Sequence, residues 1–157
     1  MVDDYRLVVG SVRGMRRGIT TGTCAQAAAK AAALALLEGK RPAAVTIRLP
    51  ESRAPYGGRQ VSVPVARLRL DSDCAAAAVM KDAGDDDDVT NGLEVWATVR
   101  RTGGDGVTVR GGRGVGVVTR PGLPVPPGEA AINPVPRAMI GRELAEFCAP
   151  GAGLEVL

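Results

Sequence analysis

The stretch 16–32, RRGITTGTCAQAAAKAA, leads from two arginines through glycine and threonine into a segment made almost wholly of alanine. Alanine is the strongest helix former. Thr23, followed three residues later by Gln26, matches a capping box, so we predict that a helix starts here. Alanine and leucine carry this helix to about Glu38, and Gly39 provides a common C-terminal end. Side chains this short favour close packing of the helix on a sheet.

Five short apolar runs follow the helix and predict β-strands: 45–49, 61–70, 93–99, 107–110 and 115–119. Pro64 cannot donate to a ladder, so the second run is expected to be an edge strand or to contain a bulge. The run 74–81, CAAAAVMK, fits a helix by its alanine content and a strand by its length. Both interpretations stay open at this point.

A second helix is predicted from about Pro136 to Phe147, after a proline-rich connection whose last prolines suit a first helical turn. Four apolar residues share one face of this helix: Ala138, Ile140, Leu144 and Phe147. The apolar run 153–157 then stops after a few residues. We therefore expect either that the chain is a fragment or that this run pairs with a segment outside it.

The composition excludes several classes of enzyme. The chain contains no histidine, which excludes a Ser-His-Asp triad, a Cys-His pair and a histidine base. Cys24, Cys74 and Cys148 are widely separated, odd in number and not preceded by a secretory signal. This pattern fits a reducing cytoplasm and argues against a disulfide framework or a structural zinc site. We expect no metal bound by protein side chains.

Length and charge narrow the remaining classes. The 157 residues suffice for one domain with a real core. The net charge is +3, and the basic residues are scattered without a block, which argues against nucleic-acid binding. The longest weakly polar run, 27–37, is interrupted by Lys30 and is too short to span a bilayer. We expect a cytoplasmic protein that has neither nucleic acid nor a membrane as its partner.

Three stretches have the residue types of a binding site. At the start of the first helix, glycines and threonines stand where unpaired N–H groups attract anions, which predicts a carboxylate or phosphate cradle. The alternative is a well-capped core helix. The stretch GITTGTC is not a Walker A loop, because the final Lys-Ser/Thr is missing.

The second stretch, KDAGDDDDVTNG at 81–92, places five aspartates within seven positions. These carboxylates repel one another unless a cation or several N–H groups lie nearby. The spacing does not match an EF-hand, which argues against a dedicated calcium site. A solvated turn is the alternative to a functional loop.

The third stretch, GGRGVGVVTRPG at 111–122, lacks the helix that must follow a dinucleotide-binding glycine motif. We interpret it as a strand that is approached closely, with Arg113 projecting from it. A bulged strand packed beneath a helix is the alternative.

Together, RRGITTGTCAQAAAKAA, VMKDAGDDDDVTNG, and GGRGVGVVTRPGL followed by GEAAINPVPRAMI resemble the signature segments of the CbiD family, the cobalt-precorrin-5B C1-methyltransferases of the anaerobic route to cobalamin. The resemblance covers most of residues 14–142. One departure is Asp87, where the family usually has proline. The resemblance implies an α+β fold, a mixed β-sheet with helices packed on one face, similar to a permuted ribosomal-S5-like domain. Family members continue into a second α/β domain, so we expect residues 1–157 to correspond to the N-terminal domain alone.

The resemblance implies a methyltransferase that moves a methyl group from S-adenosylmethionine to a ring carbon of a cobalt-bound tetrapyrrole. The cobalt would belong to this substrate and not to the protein, and the fragment alone need not be active. The substrate carries acetate and propionate arms, which suit an arginine-rich face and a helix start. Short side chains on the first helix would also let the flat macrocycle lie near the backbone. The missing second domain or a homo-oligomer is the expected protein partner.

The residues expected to bind the substrate are drawn from all three stretches and from the start of the second helix: Arg16, Arg17, Thr20, Thr21, Gly22, Thr23, Cys24, Gly112, Arg113, Gly114, Asn133 and Arg137. Asp82 or Asp85 is expected either to accept the proton lost from the ring or to hold Arg113. For Cys24 we favour a small buried cap residue over a nucleophile, although thiolates are favoured at helix starts.

Two other classes of protein compete with this interpretation. The first is a non-catalytic module that binds an anionic ligand or a partner domain. The second is a phosphate-using enzyme, which the absence of a lysine-containing phosphate loop disfavours.

Overall fold

The computed structural model of the chain describes residues 2–51 and 57–157, and within these it contains three helices and nine strands. In chain order they are α1 (Tyr5–Val9), β1 (Ser11–Val12), β2 (Met15–Arg16), α2 (Thr21–Glu38), β3 (Ala44–Arg48), β4 (Gln60–Pro64), β5 (Arg67–Leu70), β6 (Cys74–Met80), β7 (Glu94–Thr102), β8 (Val107–Val109), α3 (Pro134–Ala145) and β9 (Gly153–Val156).

The main sheet has five strands in the order β5-β6-β7-β9-β8, and two strand pairs, β1-β2 and β3-β4, lie outside it. All neighbours in the main sheet are antiparallel except β8 and β9, which are parallel. Helix α2 packs against β6 and β7, and α3 lies against α2 and β8. The predicted α+β class with a mixed sheet is therefore confirmed.

The alanines of α2 face the protein core. Most of the helix is fully buried, including Ala27, Ala28 and Ala31, and the facing strand β6 contributes the equally buried Ala75 and Ala77. Small side chains on both surfaces let the helix lie close to the sheet. Most of the short side chains of this helix therefore fill the helix–sheet contact, and the expectation that they face a macrocycle is restricted to the partly buried ones near its start, such as Ala25.

The boundaries of α2 show one correct and one wrong prediction. The helix ends at Gly39, whose left-handed backbone (φ 65°) donates to Ala35 and Leu34 carbonyls, as the sequence predicted. Its N-cap is Thr20, not Thr23, because the Thr20 hydroxyl accepts the Thr23 N–H at 3.1 Å.

The ambiguous run 74–81 forms strand β6, which pairs with β5 on one side and with β7 on the other. Two ladders outweigh the helix preference of alanine. The run 61–70 is two strands, β4 and β5, which belong to different sheets. The single strand predicted over 61–70 is therefore wrong. β4, which ends at Pro64, lies in a two-stranded sheet with β3, so its predicted edge position is confirmed. The strands predicted at 45–49, 93–99 and 107–110 are also present, as β3, β7 and β8.

Three other predictions are corrected. Residues 115–119 form no strand, although Val117 forms a bridge with Ala130 and Val118 exchanges backbone hydrogen bonds with Gly128 and Glu129. Helix α3 starts at Pro134 and buries Met139, whereas Ala138 is exposed. Strand β9 pairs with β7 and β8 of the same chain, so of the two alternatives for the run 153–157 only pairing with a segment outside the chain is wrong.

None of the helices in the described part of the chain is both long enough and apolar enough to cross a membrane.

Candidate functional site

The acidic loop, residues 81–92, is fastened to the segment that leads into α2. The Ile19 N–H donates to the Asp82 carbonyl at 2.8 Å, and the Asp85 N–H donates to the Arg16 carbonyl at 2.8 Å. Arg17 and Gly84 also form a backbone bridge. Two stretches that are more than sixty residues apart in the sequence are therefore joined through their main chains.

Glycine makes this contact possible on both sides. A Cβ built at Gly18 would lie 2.0 Å from the Asp82 carbonyl oxygen, and one at Gly84 would lie 2.2 Å from the Arg16 carbonyl oxygen. Gly84 also has a positive φ of 71°, which side-chain-bearing residues rarely adopt. Both glycines are thus required by the close approach of the two backbones.

The carboxylate of Asp82 lies at the centre of this junction. Its two oxygens accept hydrogen bonds from the Arg16 guanidinium at 2.9 and 2.7 Å, from the Tyr5 hydroxyl at 2.9 Å and from the Gly84 N–H at 2.9 Å. The Arg16 hydrogen bonds are the largest cause that lowers the pKa of Asp82 to about 2. Burial and the hydrogen bond to Asp82 raise the pKa of Tyr5 to about 12.

These contacts argue against the predicted catalytic roles of Asp82 and Asp85. A carboxylate with a pKa near 2 is a poor proton acceptor at neutral pH, and Asp82 pairs with Arg16 and not with Arg113. The exposed Asp85 accepts the Arg16 backbone N–H at 2.6 Å. Both carboxylates therefore serve to hold the loop in place.

A cleft of about 780 Å³ opens next to this junction. Its wall is drawn from the start of α2, the acidic loop, β7, the segment after β8 and the start of α3, including Gly18, Ile19, Thr20, Thr21, Gly22, Lys81, Asp86, Asp88, Trp96, Arg110, Gly114, Gly116, Asn133 and Pro136. All three stretches singled out in the sequence thus contribute to one cavity. Its volume lies within the range of about 300–1,000 Å³ that is typical of small-molecule sites.

The residues at the start of α2 divide into two groups. Thr20, Thr21 and Gly22 lie on the cleft wall. Thr23 and Cys24 are fully buried, and the Thr23 hydroxyl lies 2.9 Å from that of Thr20. Burial raises the pKa of Cys24 to about 12, so the thiol is protonated and inert at neutral pH, as expected for a core residue.

The predicted arginines are not on this cleft wall. Arg16 lies in a second hollow of about 590 Å³, where it pairs with Asp82. Arg137 donates to the backbone carbonyls of Ile132, Val109 and Ala130 at 2.9–3.2 Å. Its guanidinium therefore fixes the connection that precedes α3. Arg113 is exposed.

The glycine-rich segment contributes Gly114 and Gly116 to the wall. Gly112 instead packs against Leu157, whose backbone carbon would lie 3.1 Å from an added Cβ. Asn133 is on the wall as the N-cap of α3, but its side chain makes no capping hydrogen bond. Its amide is thus available to a ligand.

Strand β7 presents backbone hydrogen-bonding groups to the cleft. Thr98 exchanges two hydrogen bonds with Leu157, both of 2.9 Å. Alternate residues of an antiparallel strand direct their backbone groups to the same edge. The N–H and C=O of Trp96, two residues before Thr98, therefore point to the edge where the cleft begins.

The sequence analysis did not assign a role to the five charged or aromatic residues of this wall that remain: Lys81, Asp86, Asp88, Trp96 and Arg110. Lys81, Asp86 and Asp88 belong to the acidic loop that the sequence singled out, although the loop was not divided into wall and anchoring residues. Trp96 and Arg110 carried no sequence signal, because their place depends on the order of the strands.

Comparison with known proteins places this geometry in a family. The model of the CbiD family matches residues 9–157. A cobalt-precorrin-5B C(1)-methyltransferase from Moorella thermoacetica is 50% identical over 145 residues, which are 92% of this chain and 38% of that protein. Proteins of the same name from Agrobacterium fabrum (50% identical, 90% of this chain and 36% of that protein) and Bradyrhizobium sp. (56%, 82% and 33%) are also similar. The chain thus spans between 33% and 38% of the length of these relatives. No solved structure matches it.

Proposed function

This chain belongs to the CbiD family, and from that premise we propose that it is the substrate-facing part of a cobalt-precorrin-5B C1-methyltransferase of cobalamin biosynthesis. The observation that carries the proposal is the meeting of the helix start, the acidic loop and the glycine-rich segment at one cleft. The chain would correspond to the first domain of the longer relatives, which are methyltransferases by name.

The cleft offers neutral hydrogen-bond donors to a substrate that carries carboxylate arms. The start of α2, with its backbone N–H groups and the Thr21 hydroxyl, and Asn133, with its amide, line the same cleft. N–H groups at a helix start favour bound anions. An added Cβ at Gly114 would meet nothing within 4 Å, so a flat ligand edge can approach the backbone there, whereas the absence of a side chain at Gly22 makes room for Pro136.

We propose that the methyl donor is S-adenosylmethionine, which supplies an electrophilic methyl group on a sulfonium. The described residues fit a cationic donor, because the exposed Asp86 places a carboxylate on the cleft wall. Trp96 adds backbone groups at the cleft edge, whereas its indole lies beneath the Arg69 guanidinium at 5.1 Å and donates to Glu94 at 3.2 Å. These residues would hold the donor beside the substrate.

The residues of this chain would act by positioning. Aligning two reactants can supply about 7–11 kcal/mol of the barrier, and the reaction requires no protein nucleophile. The inert Cys24 and the firmly ionised Asp82 agree with such a role. The three cysteines are free, and we propose that the protein works in the reducing cytoplasm.

Titration calorimetry with the purified chain tests the proposal. The ligand is cobyrinic acid, a cobalt macrocycle with free carboxylates, and a second titration uses S-adenosylmethionine. We expect saturable binding of the acid, and no heat beyond dilution with the acid would contradict the proposed function. If the chain binds the acid but does not bind S-adenosylmethionine, the result would favour the alternative. In that alternative the domain binds the substrate, and the rest of the longer protein binds the donor.

A further inference from the structure

Lys81 is a buried cation at the cleft. It follows the last residue of β6, and its side chain is only 3% exposed. Its Nζ donates one hydrogen bond, to Asp88 Oδ2 at 3.1 Å. An ammonium group has three donors, so two N–H bonds of Lys81 are left without a described protein acceptor. Lys81 and Asp88 both line the cleft.

A contribution to the stability of the fold does not readily explain why Lys81 is buried at this position. Its charge acts on Cys24, near the N-terminal end of α2, where the helix dipole disfavours a cation. Asp88 is 37% exposed and is also held by the N–H and hydroxyl of Thr90, at 2.8 and 2.6 Å. A buried ion pair is weak evidence for a stabilising role. A buried cation with spare donors beside a cavity is instead suited to an anionic ligand.

The geometry points to Lys81 as the residue that anchors a carboxylate of the bound ligand, through the two N–H groups that Asp88 does not use. This inference rests on the proposed function, because it assumes that the cleft is the ligand site. The carboxylate has two possible sources, an arm of the macrocycle or the amino-acid end of the methyl donor. Asp88 would keep the ammonium in place when the cleft is empty, and it would compete with the ligand for it.

The test is calorimetry with Lys81→Met, which keeps the length of the side chain and removes its charge. The ligands are cobyrinic acid, its fully methyl-esterified form and S-adenosylhomocysteine, which carries the amino-acid end of the donor. We expect the variant to bind either cobyrinic acid or S-adenosylhomocysteine about 10- to 100-fold more weakly than the unchanged chain does, because a hydrogen bond from a charged group is lost. The ester is expected to bind the variant and the unchanged chain alike.

Lys30→Met is the matched control. Lys30 is a partly buried lysine that pairs with Glu143 at 2.6 Å, between α2 and α3 and away from the cleft wall. This variant is expected to bind every ligand as the unchanged chain does. Asp88→Asn provides an independent readout, because removal of the competing carboxylate should tighten binding of the same ligand. Unfolding curves of all three variants establish that each is folded.

The outcomes separate the inference from the proposed function. A loss confined to cobyrinic acid assigns the carboxylate to the macrocycle, and a loss confined to S-adenosylhomocysteine assigns it to the donor. Equal affinities for the unchanged chain and Lys81→Met, or an equal loss for the ester, would overturn the role of Lys81 alone. Weaker binding by Asp88→Asn would also count against it. If the unchanged chain binds none of these ligands, the proposed function falls as well.

Discussion

At the scale of single residues, the ionised carboxylate of Asp82 joins three parts of the chain. Tyr5 comes from α1, Arg16 from β2 and Gly84 from the acidic loop itself, and all three donate to it. The Asp82 side chain is 18% exposed. Its lowered pKa therefore represents stability that exists only while the group is charged.

We predict that Asp82→Asn lowers the free energy of unfolding by about 1 to 2 kcal/mol at pH 7. This is less than the pKa shift alone would give, because the Arg16 partner is exposed and solvent screens the ion pair. The pKa of Asp82 falls from 3.8 in the unfolded chain to about 2 in the folded one. The stabilisation is thus complete above about pH 4 and is lost as the pH falls towards 2. Urea unfolding from pH 2 to pH 7 measures it.

The difference in the free energy of unfolding between the unchanged chain and Asp82→Asn should therefore shrink as the pH is lowered. Asp88, whose pKa is also lowered to about 2, titrates in both proteins and cancels in the comparison. A difference that stays constant down to pH 2 would show that the Asp82 charge is not the source.

At the scale of elements, the junction between the acidic loop and the α2 approach depends on backbone contact. Gly84→Ala should cost about 3 kcal/mol or more, because an added Cβ meets the Arg16 carbonyl and the positive φ is strained. Gly14 is the matched control, with a φ of 79° and nothing within 4 Å of an added Cβ. Gly14→Ala should cost only about 1 kcal/mol. Chemical unfolding measures both.

Gly18→Ala separates the two causes, since Gly18 has no positive φ but would place its Cβ 2.0 Å from the Asp82 carbonyl oxygen. It should be clearly more destabilising than Gly14→Ala. Similar losses for Gly14, Gly18 and Gly84 would mean that the two backbones do not approach as closely as described.

The start of α2 gives another prediction. Thr20→Ala should lower the free energy of unfolding by about 1 kcal/mol through loss of the N-cap, while Thr20→Ser should keep most of it. Thermal unfolding of these variants is the measurement. Full stability of Thr20→Ala would contradict the observed cap.

The sequence predicts much of this element correctly, but not its cap. Thr20 with Thr23 and Thr23 with Gln26 have the same spacing, so the sequence does not decide between them. Gln26 is buried and donates to the Arg48 carbonyl and to Glu143, at 3.1 and 2.7 Å. These long-range contacts remove Gln26 from the capping box, and local spacing carries no sign of them.

Prediction of the strands from local sequence is limited in the same way by long-range contacts. The alternation at 45–49 was sufficient to predict β3, because one face of that strand is buried and the other is not. The alanines of β6 give no such pattern, and only the neighbours β5 and β7 make this segment a strand. Composition was also sufficient to single out the three stretches that form the site. Which aspartates hold the acidic loop in place and which line the cleft depends on the folded structure.

At the scale of the whole molecule, the site forms where separate elements meet. The cleft wall combines the start of α2, the acidic loop, β7, the segment after β8 and the start of α3. A change at the junction of the acidic loop with the α2 approach, such as one at Gly84, should therefore alter the cleft as well as the stability. The central claim is that the helix start, the acidic loop and the glycine-rich segment bind one ligand together.

The most direct test is an NMR titration of the ¹⁵N-labelled chain with cobyrinic acid. The account predicts that the largest amide shift changes fall together at residues 18–22, 81–88 and 114–116, and that they saturate at the same ligand concentration. Residues that follow the C-terminal end of α2, such as Lys40 and Arg41, should change little. Saturable changes centred on these residues, with those three segments unaffected, would contradict the account.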